Sequence, residues 1–419
     1  MKILHINTYD SGGSAIAAIR LHKELLSQGY DSNFLFLYQS VYSIPNSFYY
    51  SDTKKKETNF FIRQFKKLKK KIYSKPTEAS KNRNKLLNKS SGYEMFSFGT
   101  TDFDITTQRL YKEADIIHLN WVSGFLDYSF FEKNAKPVVW TLHDMNPFTG
   151  GCHYSSSCVK FKTECRNCPQ LLNTINPDSS FIDQNYKIKM LYGQQIVIVT
   201  PSEWLRKLAA SSRLFNHLKT YHIANCIDFS VFKPLDKIHC REILNIPIGD
   251  KVLLFVSDNY ENKRKGFDLM IGALALLDNT GLTLVAIGGN NNKLQLLNKV
   301  LYLGSVLDER LLPVAYSATD AFVLPSREDN LPNVMLESLA CGTPVISFQV
   351  GGMTEVIKEG LNGILVKETT STSLSYAISD FFEGKFNFNS NKIRENAELM
   401  FKSSIQADKY LEVYKKTLK

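Results

Sequence analysis

The sequence lacks the features of a membrane-spanning or secreted chain. None of its apolar runs approaches the roughly 20 uncharged residues that cross a bilayer. Its first residues, Met1 to Thr8, lack the charged, apolar and cleavage regions of a signal peptide. Cysteine is scarce, with seven among 419 residues, and in a cytosolic chain disulfide bonds between them are disfavoured. We therefore expect a cytoplasmic protein.

The length and composition predict two domains. With 419 residues, of which 43% are hydrophobic, the chain exceeds one ordinary domain and can bury two cores. Strand patterns punctuated by glycine alternate with helical patterns, which indicates βα units and parallel sheets. One such series starts at Ile3 and a second at Lys251, with a linker at residues 225–234 between them. We predict an α/β protein whose first domain covers residues 1–228 and whose second covers residues 229–400.

The positive charge is concentrated in one segment. The formal net charge is +10, and residues 51–90 hold fourteen basic residues against three acidic ones, so the remainder of the chain is near neutral. Within this segment Phe61, Phe65, Leu68 and Ile72 recur at helical spacing, which predicts a basic amphipathic helix. Such a helix either lies on an anionic membrane surface or packs its apolar stripe on the domain with its lysines in water. Both interpretations stay open, and we do not adopt a third one, nucleic-acid binding.

The densest group of candidate residues lies in residues 325–356, directly after a predicted buried strand. Asn330 is predicted to cap a helix that has Pro332 in its first turn, where a missing N–H group is tolerated. The free N–H groups at such a helix start, together with the helix dipole, favour an anion such as a diphosphate. The pattern therefore predicts a phosphate site at the carboxyl end of a parallel strand.

Three carboxylates accompany that site. Glu328 and Asp329 occupy the loop after the strand, and Glu337 lies about two turns into the predicted helix. Carboxylates accept paired hydrogen bonds from vicinal sugar hydroxyls, so a ligand with phosphate at one end and sugar at the other, a nucleotide sugar, suits the site. The alternative is that the two loop acids are solvated and that Glu337 lies on the surface of its helix.

The other candidates are a glycine loop, a histidine and two cations. Gly12 and Gly13 follow the first strand and would let backbone N–H groups approach a phosphate, although a plain turn also explains them. His143 lies near the end of a strand, where ligands gather, but a histidine there is often structural. Arg264 and Lys265 precede a helix start and can neutralise the same phosphate, unless they are ordinary exposed loop cations.

Four of the seven cysteines lie between residues 150 and 170. They are Cys152, Cys158, Cys165 and Cys168, and the last two have the Cys-x2-Cys spacing of a metal knuckle. Structural zinc and reduced thiols are both open interpretations. Nothing in the pattern suggests a catalytic zinc ion.

Taken together, these residues resemble the family-4 retaining glycosyltransferases over almost the whole chain. Residues 225–234 look like the interdomain signature of that family, with cysteine in place of its glycine, and Asp329 and Glu337 look like its acidic pair. The insert at residues 141–171 resembles a subgroup that makes exopolysaccharide, colanic acid and capsule. The resemblance implies the GT-B architecture, in which two Rossmann-like domains face each other across a cleft. It also implies that a C-terminal helix, residues 401–419, packs back on the first domain.

The resemblance implies a role for each candidate residue. Glu337 would hold the donor ribose, while Asp329 or the adjacent Glu328 would hold hydroxyls of the transferred sugar. Lys265 would hold the diphosphate, and His143 would contact a donor-sugar hydroxyl. The expected donor-binding residues are Gly12, Gly13, Arg264, Lys265, Glu328, Asp329, Asn330, Leu331 and Glu337, and the expected catalytic residues are Asp329, Glu337, Lys265 and His143.

The implied reaction moves a sugar from a nucleoside-diphosphate sugar to a hydroxyl of a glycan or lipid-linked oligosaccharide, with retained configuration. Lys265, Arg264 and the helix start would stabilise the leaving diphosphate without a metal or other cofactor. Arg264 is needed because Ser257-Asp258 replaces the usual Gly-Arg of the family. No residue is a convincing nucleophile, so the departing phosphate oxygen is expected to accept the proton. Two other classes stay open: a sugar-nucleotide epimerase, and a non-catalytic nucleotide-sugar or glycan-binding protein.

Overall fold

The computed structural model describes residues 1–40, 44–51, 95–172, 178–278, 280–289, 299–306 and 308–419. The basic amphipathic helix predicted within residues 51–90 lies outside these ranges, apart from Ser51. The described residues form two parallel β-sheets, each packed against helices. No helix in these ranges has both the length and the apolar composition needed to cross a bilayer.

The first sheet has seven parallel strands in the order β3-β2-β1-β4-β5-β6-β7. These strands are β1 (Lys2–Tyr9), β2 (Asp31–Tyr38), β3 (Ser47–Tyr49), β4 (Ile116–Leu119), β5 (Val138–Thr141), β6 (Ile196–Thr200) and β7 (Lys219–His222). The helices of this domain are α1 (Gly13–Ser27), α2 (Arg109–Glu113), α3 (Phe130–Lys133), α4 (Ser179–Leu191) and α5 (Glu203–Ser211). The strands β4 and β5 are buried at every position, which explains their mostly apolar sequence.

The second sheet has six parallel strands in the order β10-β9-β8-β11-β12-β13. These strands are β8 (Lys251–Val256), β9 (Leu282–Ile287), β10 (Val300–Gly304), β11 (Ala321–Leu324), β12 (Val345–Phe348) and β13 (Gly363–Val366). The helices that follow β7 are α6 (Lys237–Ile243), α7 (Phe267–Leu274), α8 (Leu312–Ala318), α9 (Asn333–Ala340), α10 (Met353–Val356), α11 (Ser371–Phe382), α12 (Ser390–Phe401) and α13 (Ser403–Thr417).

Both sheets have the doubly wound strand order, which reverses at one point. That point lies between β1 and β4 in the first sheet and between β8 and β11 in the second. Ligands of such sheets bind outside the carboxyl ends of the strands at the point of reversal. The loops after β1 and β11, which contain the predicted glycines and acids, both start there.

The helix predicted to have Asn330 as its N-cap residue begins two residues later than expected. Helix α9 starts at Asn333, with Pro332 as its N-cap residue and no side-chain cap hydrogen bond. The prediction that Asn330 caps this helix is wrong, because its side chain instead contacts the first domain. Glu337 is therefore the fifth residue of α9 and lies about one turn, not two, from its start.

The last two helices connect the domains. The helix α12 contributes buried side chains to the core of the second domain. The helix α13 packs on the first domain, where the hydroxyl of Tyr410 is 2.7 Å from Oγ1 of Thr141 and the hydroxyl of Tyr414 is 2.7 Å from Nδ1 of His118. These buried contacts tie the end of the chain to the sheet of the first domain.

Candidate active site in the cleft between the domains

The two points of strand reversal face each other across the cleft. Gly12 and Gly13 follow β1, and residues 328–330 follow β11. Asn333, in the first turn of α9, donates from Nδ2 to the carbonyl oxygen of Gly13 at 2.8 Å. The starts of α1 and α9 therefore meet. Neither helix start has a side-chain cap, so the backbone N–H groups of both can bind an anion.

Two cations and one carboxylate form the centre of the site. Lys265 Nζ is 2.9 Å, and Arg264 Nη1 is 3.0 Å, from the same oxygen of Asp329. Burial alone would raise the pKa of Asp329, but the two cations outweigh that effect and hold the pKa well below its usual range. Asp329 is only 5% exposed, so the alternative of a solvated loop acid is wrong for this residue.

The turn that carries the cations fits closely against the loop that carries the acid. Gly266 follows the short 3-10 helix Lys263–Lys265 and has a φ of +70°. A Cβ atom at Gly266 would lie 1.8 Å from the carbonyl oxygen of Pro325, so any side chain at this position would clash with the backbone of Pro325. Glycine at this position therefore allows the cations to approach the loop after β11.

Glu337 is paired across the cleft with Arg20 of α1. Nη2 of Arg20 is 2.9 Å from Oε1 of Glu337 and 3.1 Å from Oε2 of Glu309, and the guanidinium lies over the ring of Phe232. Tyr316 donates its hydroxyl to the second oxygen of Glu337 at 3.2 Å. Burial opposes the charge on Arg20, but the two glutamates outweigh it and raise the pKa of Arg20. Glu337 is 4% exposed, so the alternative of a surface position is wrong.

Asn330 joins the two domains. Its Oδ1 accepts a hydrogen bond from Ser202 Oγ at 2.5 Å, and its Nδ2 donates to the carbonyl oxygen of His143 at 3.2 Å. Nε2 of His143 lies 3.4 Å from Oδ1 of Asn120. Burial lowers the pKa of His143 to about 4, so its imidazole is neutral near pH 7. The side chain of Leu331 packs in the core of the second domain, and its carbonyl oxygen accepts from Nδ2 of Asn225 at 3.3 Å.

The cysteine-rich insert contacts both acids of the loop after β11. Tyr154 stacks on Arg264, with 4.0 Å between the ring centroid and Cζ, and its hydroxyl donates to Oδ1 of Asp329 at 3.4 Å. The backbone N–H group of Ser156 donates to Oε2 of Glu328 at 3.0 Å. The cations and the insert therefore meet at this pair of acids: Asp329 contacts Lys265, Arg264 and Tyr154, and Glu328 accepts from Ser156.

The four cysteines of the insert line one small cavity. All seven cysteines of the chain are free thiols. Burial raises the pKa of Cys165 to about 11 and raises that of Cys152 further. Four thiols suit zinc chemically, but within the described ranges no group of three or more His, Cys, Asp or Glu side chains is arranged to hold a metal ion. The arrangement thus does not fit a zinc site, and the zinc ion stays a prediction from the sequence.

Two exposed tyrosines end neighbouring strands on the first-domain side of the cleft. Tyr9 and Tyr38 are the last residues of β1 and β2, pair in register, and stack with 5.2 Å between ring centroids. They are 41% and 48% exposed. Trp121 extends this surface at 5.8 Å from Tyr9 and donates from Nε1 to Asp144, the residue after His143. The three rings form an aromatic cluster, with Tyr9 and Tyr38 partly exposed at the ends of their strands.

Sequence reasoning missed three residues of the site. Arg20 could have been found, because it is a lone cation in the apolar face of α1. Tyr154 and Ser202 give no such signal, since their contacts depend on how the two domains meet. By contrast, the predicted glycines, cations and acids do come together in the cleft.

Comparison with known proteins agrees with these features. Residues 250–383 match the family model for glycosyl transferases group 1. The putative colanic acid biosynthesis glycosyl transferase WcaC of Escherichia coli K12 is 26% identical over 379 residues, which cover 86% of each chain. A D-inositol 3-phosphate glycosyltransferase of Thermobispora bispora is 26% identical over 290 residues, 62% of this chain and 61% of that protein. The chain therefore spans about three fifths of the length of the latter relative.

A solved structure matches the fold over both domains. The crystal structure of Anabaena Alr3699/HepE in complex with UDP and glucose has a TM-score of 0.67 and 17% identity, with 99% of each chain covered. Two doubly wound sheets that face each other across a cleft define the GT-B fold, as the sequence predicted. The match of residues 250–383 to the glycosyl transferases group 1 model agrees with the family that the motifs of the chain suggest.

Proposed function

We propose that this chain is a retaining glycosyltransferase of surface polysaccharide synthesis. It moves a sugar from a nucleoside-diphosphate sugar to a hydroxyl of a glycan or lipid-linked oligosaccharide. The observation that carries the proposal is the cluster of Lys265, Arg264 and buried Asp329 beside the meeting helix starts of α1 and α9. The proposal is supported by the description of WcaC as a colanic acid enzyme and by the crystallisation of HepE with UDP-glucose.

The donor diphosphate would bind at the two cations. Lys265 and Arg264 place two cations side by side at Asp329, and paired cations suit a diphosphate. The uncapped N–H groups of α9 and of the glycine loop add further donors. These groups stabilise the negative charge that grows on the leaving diphosphate. The proposed mechanism needs no metal ion for this step.

The two acids would hold the sugars of the donor. With the diphosphate at the cations, Asp329 is released to accept hydrogen bonds from hydroxyls of the transferred sugar. Glu337, on the next helix, would accept from the ribose hydroxyls while it keeps part of its contact with Arg20. His143 is neutral near pH 7, so it can both donate to and accept from a sugar hydroxyl.

The transfer step exchanges one bond to the anomeric carbon for another on the same face of the sugar. The bond from the anomeric carbon to the diphosphate oxygen breaks, and the bond to the acceptor oxygen forms. The acceptor proton passes to the departing phosphate oxygen, so no protein base is required. His143 has a low pKa of about 4, which makes it a weak base and argues against giving it that role.

The exposed rings on the first domain support a sugar acceptor. Tyr9 and Tyr38 present partly exposed aromatic rings at the carboxyl edge of the sheet. The apolar face of a pyranose ring can pack on such a surface, while its hydroxyls remain available for hydrogen bonds. We therefore place the acceptor sugar against these rings.

For the location, we propose the inner surface of the plasma membrane. The argument rests on the sequence of residues 51–90, whose excess of basic residues would add about 1 kcal/mol of binding per cation near an anionic surface. Binding of the full chain to anionic vesicles should weaken as salt is added. Equal binding to neutral vesicles would contradict this location.

A thermal-shift screen of nucleoside-diphosphate sugars tests the proposed function. A true donor binds the folded chain and stabilises it by RT ln(1 + [L]/Kd). The melting temperature should therefore keep rising as the donor concentration is increased above Kd. Each stabilising compound is then incubated with lipid-linked oligosaccharide acceptors, and a new glycosidic bond is the expected product. Epimerised donor formed without acceptor would favour an epimerase, and binding without any turnover would favour a binding protein.

A further inference from the structure

The cysteine-rich insert holds one aromatic ring against the proposed donor site. His153 is buried, with Nδ1 2.6 Å from Oδ2 of Asp144 and Nε2 2.9 Å from Oγ of Ser97. The next residue is Tyr154, whose carbonyl oxygen accepts from Nε2 of Gln170 at 2.7 Å. The backbone of Tyr154 is thus fixed on the first domain, while its side chain reaches the second.

The ring of Tyr154 covers a face of Arg264 and leaves the edge of the guanidinium for hydrogen bonds. Nη1 of Arg264 donates to the carbonyl oxygen of Glu328 at 2.7 Å and pairs with Asp329 at 3.0 Å. All N–H groups of a guanidinium point outward in its plane, so a ring on its face does not compete with a bound anion. The ring also excludes water from the cation, which strengthens its attraction for a phosphate.

A second contact of the insert reaches the same loop. Ser156 donates its backbone N–H group to Glu328, the residue whose carbonyl oxygen accepts from Arg264. The insert therefore touches the guanidinium directly and also contacts the residue that hydrogen-bonds to it. Through these contacts the insert, which belongs to the first domain, packs on the second domain as well.

We infer that Tyr154 positions Arg264 for the donor diphosphate, which makes the cysteine-rich insert a part of the donor site. The inference rests on the proposed function, because it assumes that Arg264 binds a diphosphate. Tyr154 is a positioning residue, since it acts through Arg264 and does not touch the reacting atoms.

The test compares Tyr154→Leu, which removes the ring, with Tyr154→Phe, which keeps the ring but loses the hydroxyl. Binding of ADP, GDP, UDP, dTDP and inorganic pyrophosphate is measured by calorimetry on the full chain. We expect Tyr154→Leu to weaken binding of the preferred diphosphate roughly tenfold. Tyr154→Phe should bind the same diphosphate within about twofold of the parent. Tyr192→Leu, at an 85% exposed position, is the matched control and should bind like the parent.

A double-mutant cycle separates positioning from a general effect on folding. In an Arg264→Met background, Tyr154→Leu should cause no further loss of binding, because the group that it positions is gone. An equal loss in both backgrounds, or parental binding by Tyr154→Leu, overturns the inference and leaves the proposed function intact. If the parent itself binds none of the diphosphates, the proposed function fails and the inference fails with it.

Discussion

Arg20 of α1 and Glu337 of α9 form a buried ion pair across the cleft, with 2.9 Å between Nη2 and Oε1. Their side chains are 6% and 5% exposed, so the pair is shielded from water and from salt. The acid that we propose as the ribose ligand is therefore also a structural link between the domains. Donor binding and domain closure should consequently affect each other.

Removal of one partner of this pair should destabilise the fold. Arg20→Met leaves Glu337 buried without its cation, and such changes cost about 3–5 kcal/mol in the free energy of unfolding. Urea denaturation of the full chain measures the loss. Lys23→Met is the matched control on the exposed side of the same helix, and it should change stability by less than about 0.5 kcal/mol.

The companion variant shows whether the two residues are coupled. Glu337→Gln removes the carboxylate charge that Arg20→Met leaves unpaired. The loss of stability in the double variant should therefore be about 1–3 kcal/mol smaller than the sum of the two single losses. Simple addition of the two single losses would contradict a direct ion pair.

The tyrosine surface should affect the acceptor and not the donor. Tyr38→Ala is expected to raise the KM for the acceptor roughly tenfold and to leave the KM for the donor within about twofold of the parent value. Tyr38→Phe keeps the ring and should behave like the parent, as should Tyr192→Ala at a distant exposed position. Initial-rate kinetics with each substrate varied in turn provide the measurement, and a rise in donor KM alone would contradict the placement of the acceptor.

Three buried histidines should make the fold sensitive to acid. Burial lowers the pKa of His118 to about 3, that of His143 to about 4, and that of His5 well below its ordinary value. In each case the unfolded chain, with a histidine pKa near 6.5, binds a proton that the folded chain does not. The free energy of unfolding should therefore fall as the pH drops below about 6.5, by roughly 1.4 kcal/mol per pH unit for each proton taken up. For His143 the loss should end near pH 4.

His5 offers the clearest variant for that test. Within the described ranges neither of its ring nitrogens has a hydrogen-bond partner, so His5→Leu removes a titrating group and breaks no hydrogen bond. The free energy of unfolding is measured in urea between pH 7 and 5. Its slope against pH should become smaller in His5→Leu, and towards pH 5 the decrease should approach the roughly 1.4 kcal/mol per pH unit that corresponds to one proton. An unchanged slope in His5→Leu would contradict a lowered pKa for His5 in the folded chain.

Metal analysis settles the cysteine cluster. The sequence spacing leaves structural zinc and reduced thiols both open, and within the described ranges no group of three or more side chains is arranged to hold a metal ion. If Cys152, Cys158, Cys165 and Cys168 bind structural zinc, protein purified without a histidine tag should contain about one equivalent, and chelation should lower its melting temperature. Less than about half an equivalent would establish plain thiols.

Much of the fold follows from local sequence patterns. Short apolar runs such as β11, bounded by polar turns, identify buried parallel strands. The alternation of such strands with helices leaves few topologies, because crossover connections between parallel strands are right-handed. The family motifs then indicate that two such sheets share one cleft.

The details of the site depend on contacts that no local pattern encodes. Asn330 is a residue type that often caps helices. Its side chain instead forms hydrogen bonds with Ser202 and His143 of the other domain, and these tertiary contacts outweigh its capping preference. The partner of Glu337 is 317 residues away in the sequence. The contacts of Asp329 with Lys265 and of Glu328 with Ser156 likewise join segments that are far apart in the sequence.

Sugar transfer by the parent, Lys265→Ala and Lys263→Ala provides the most direct test of the account. Both lysines lie on the same turn, but Lys265 pairs with Asp329 whereas Lys263 is exposed. With the donor found in the screen, Lys265→Ala should lower kcat/KM for transfer at least ~100-fold. Lys263→Ala should stay within about twofold of the parent, and the product should keep the anomeric configuration of the donor. Transfer by Lys265→Ala at the parental rate would contradict the proposed active site.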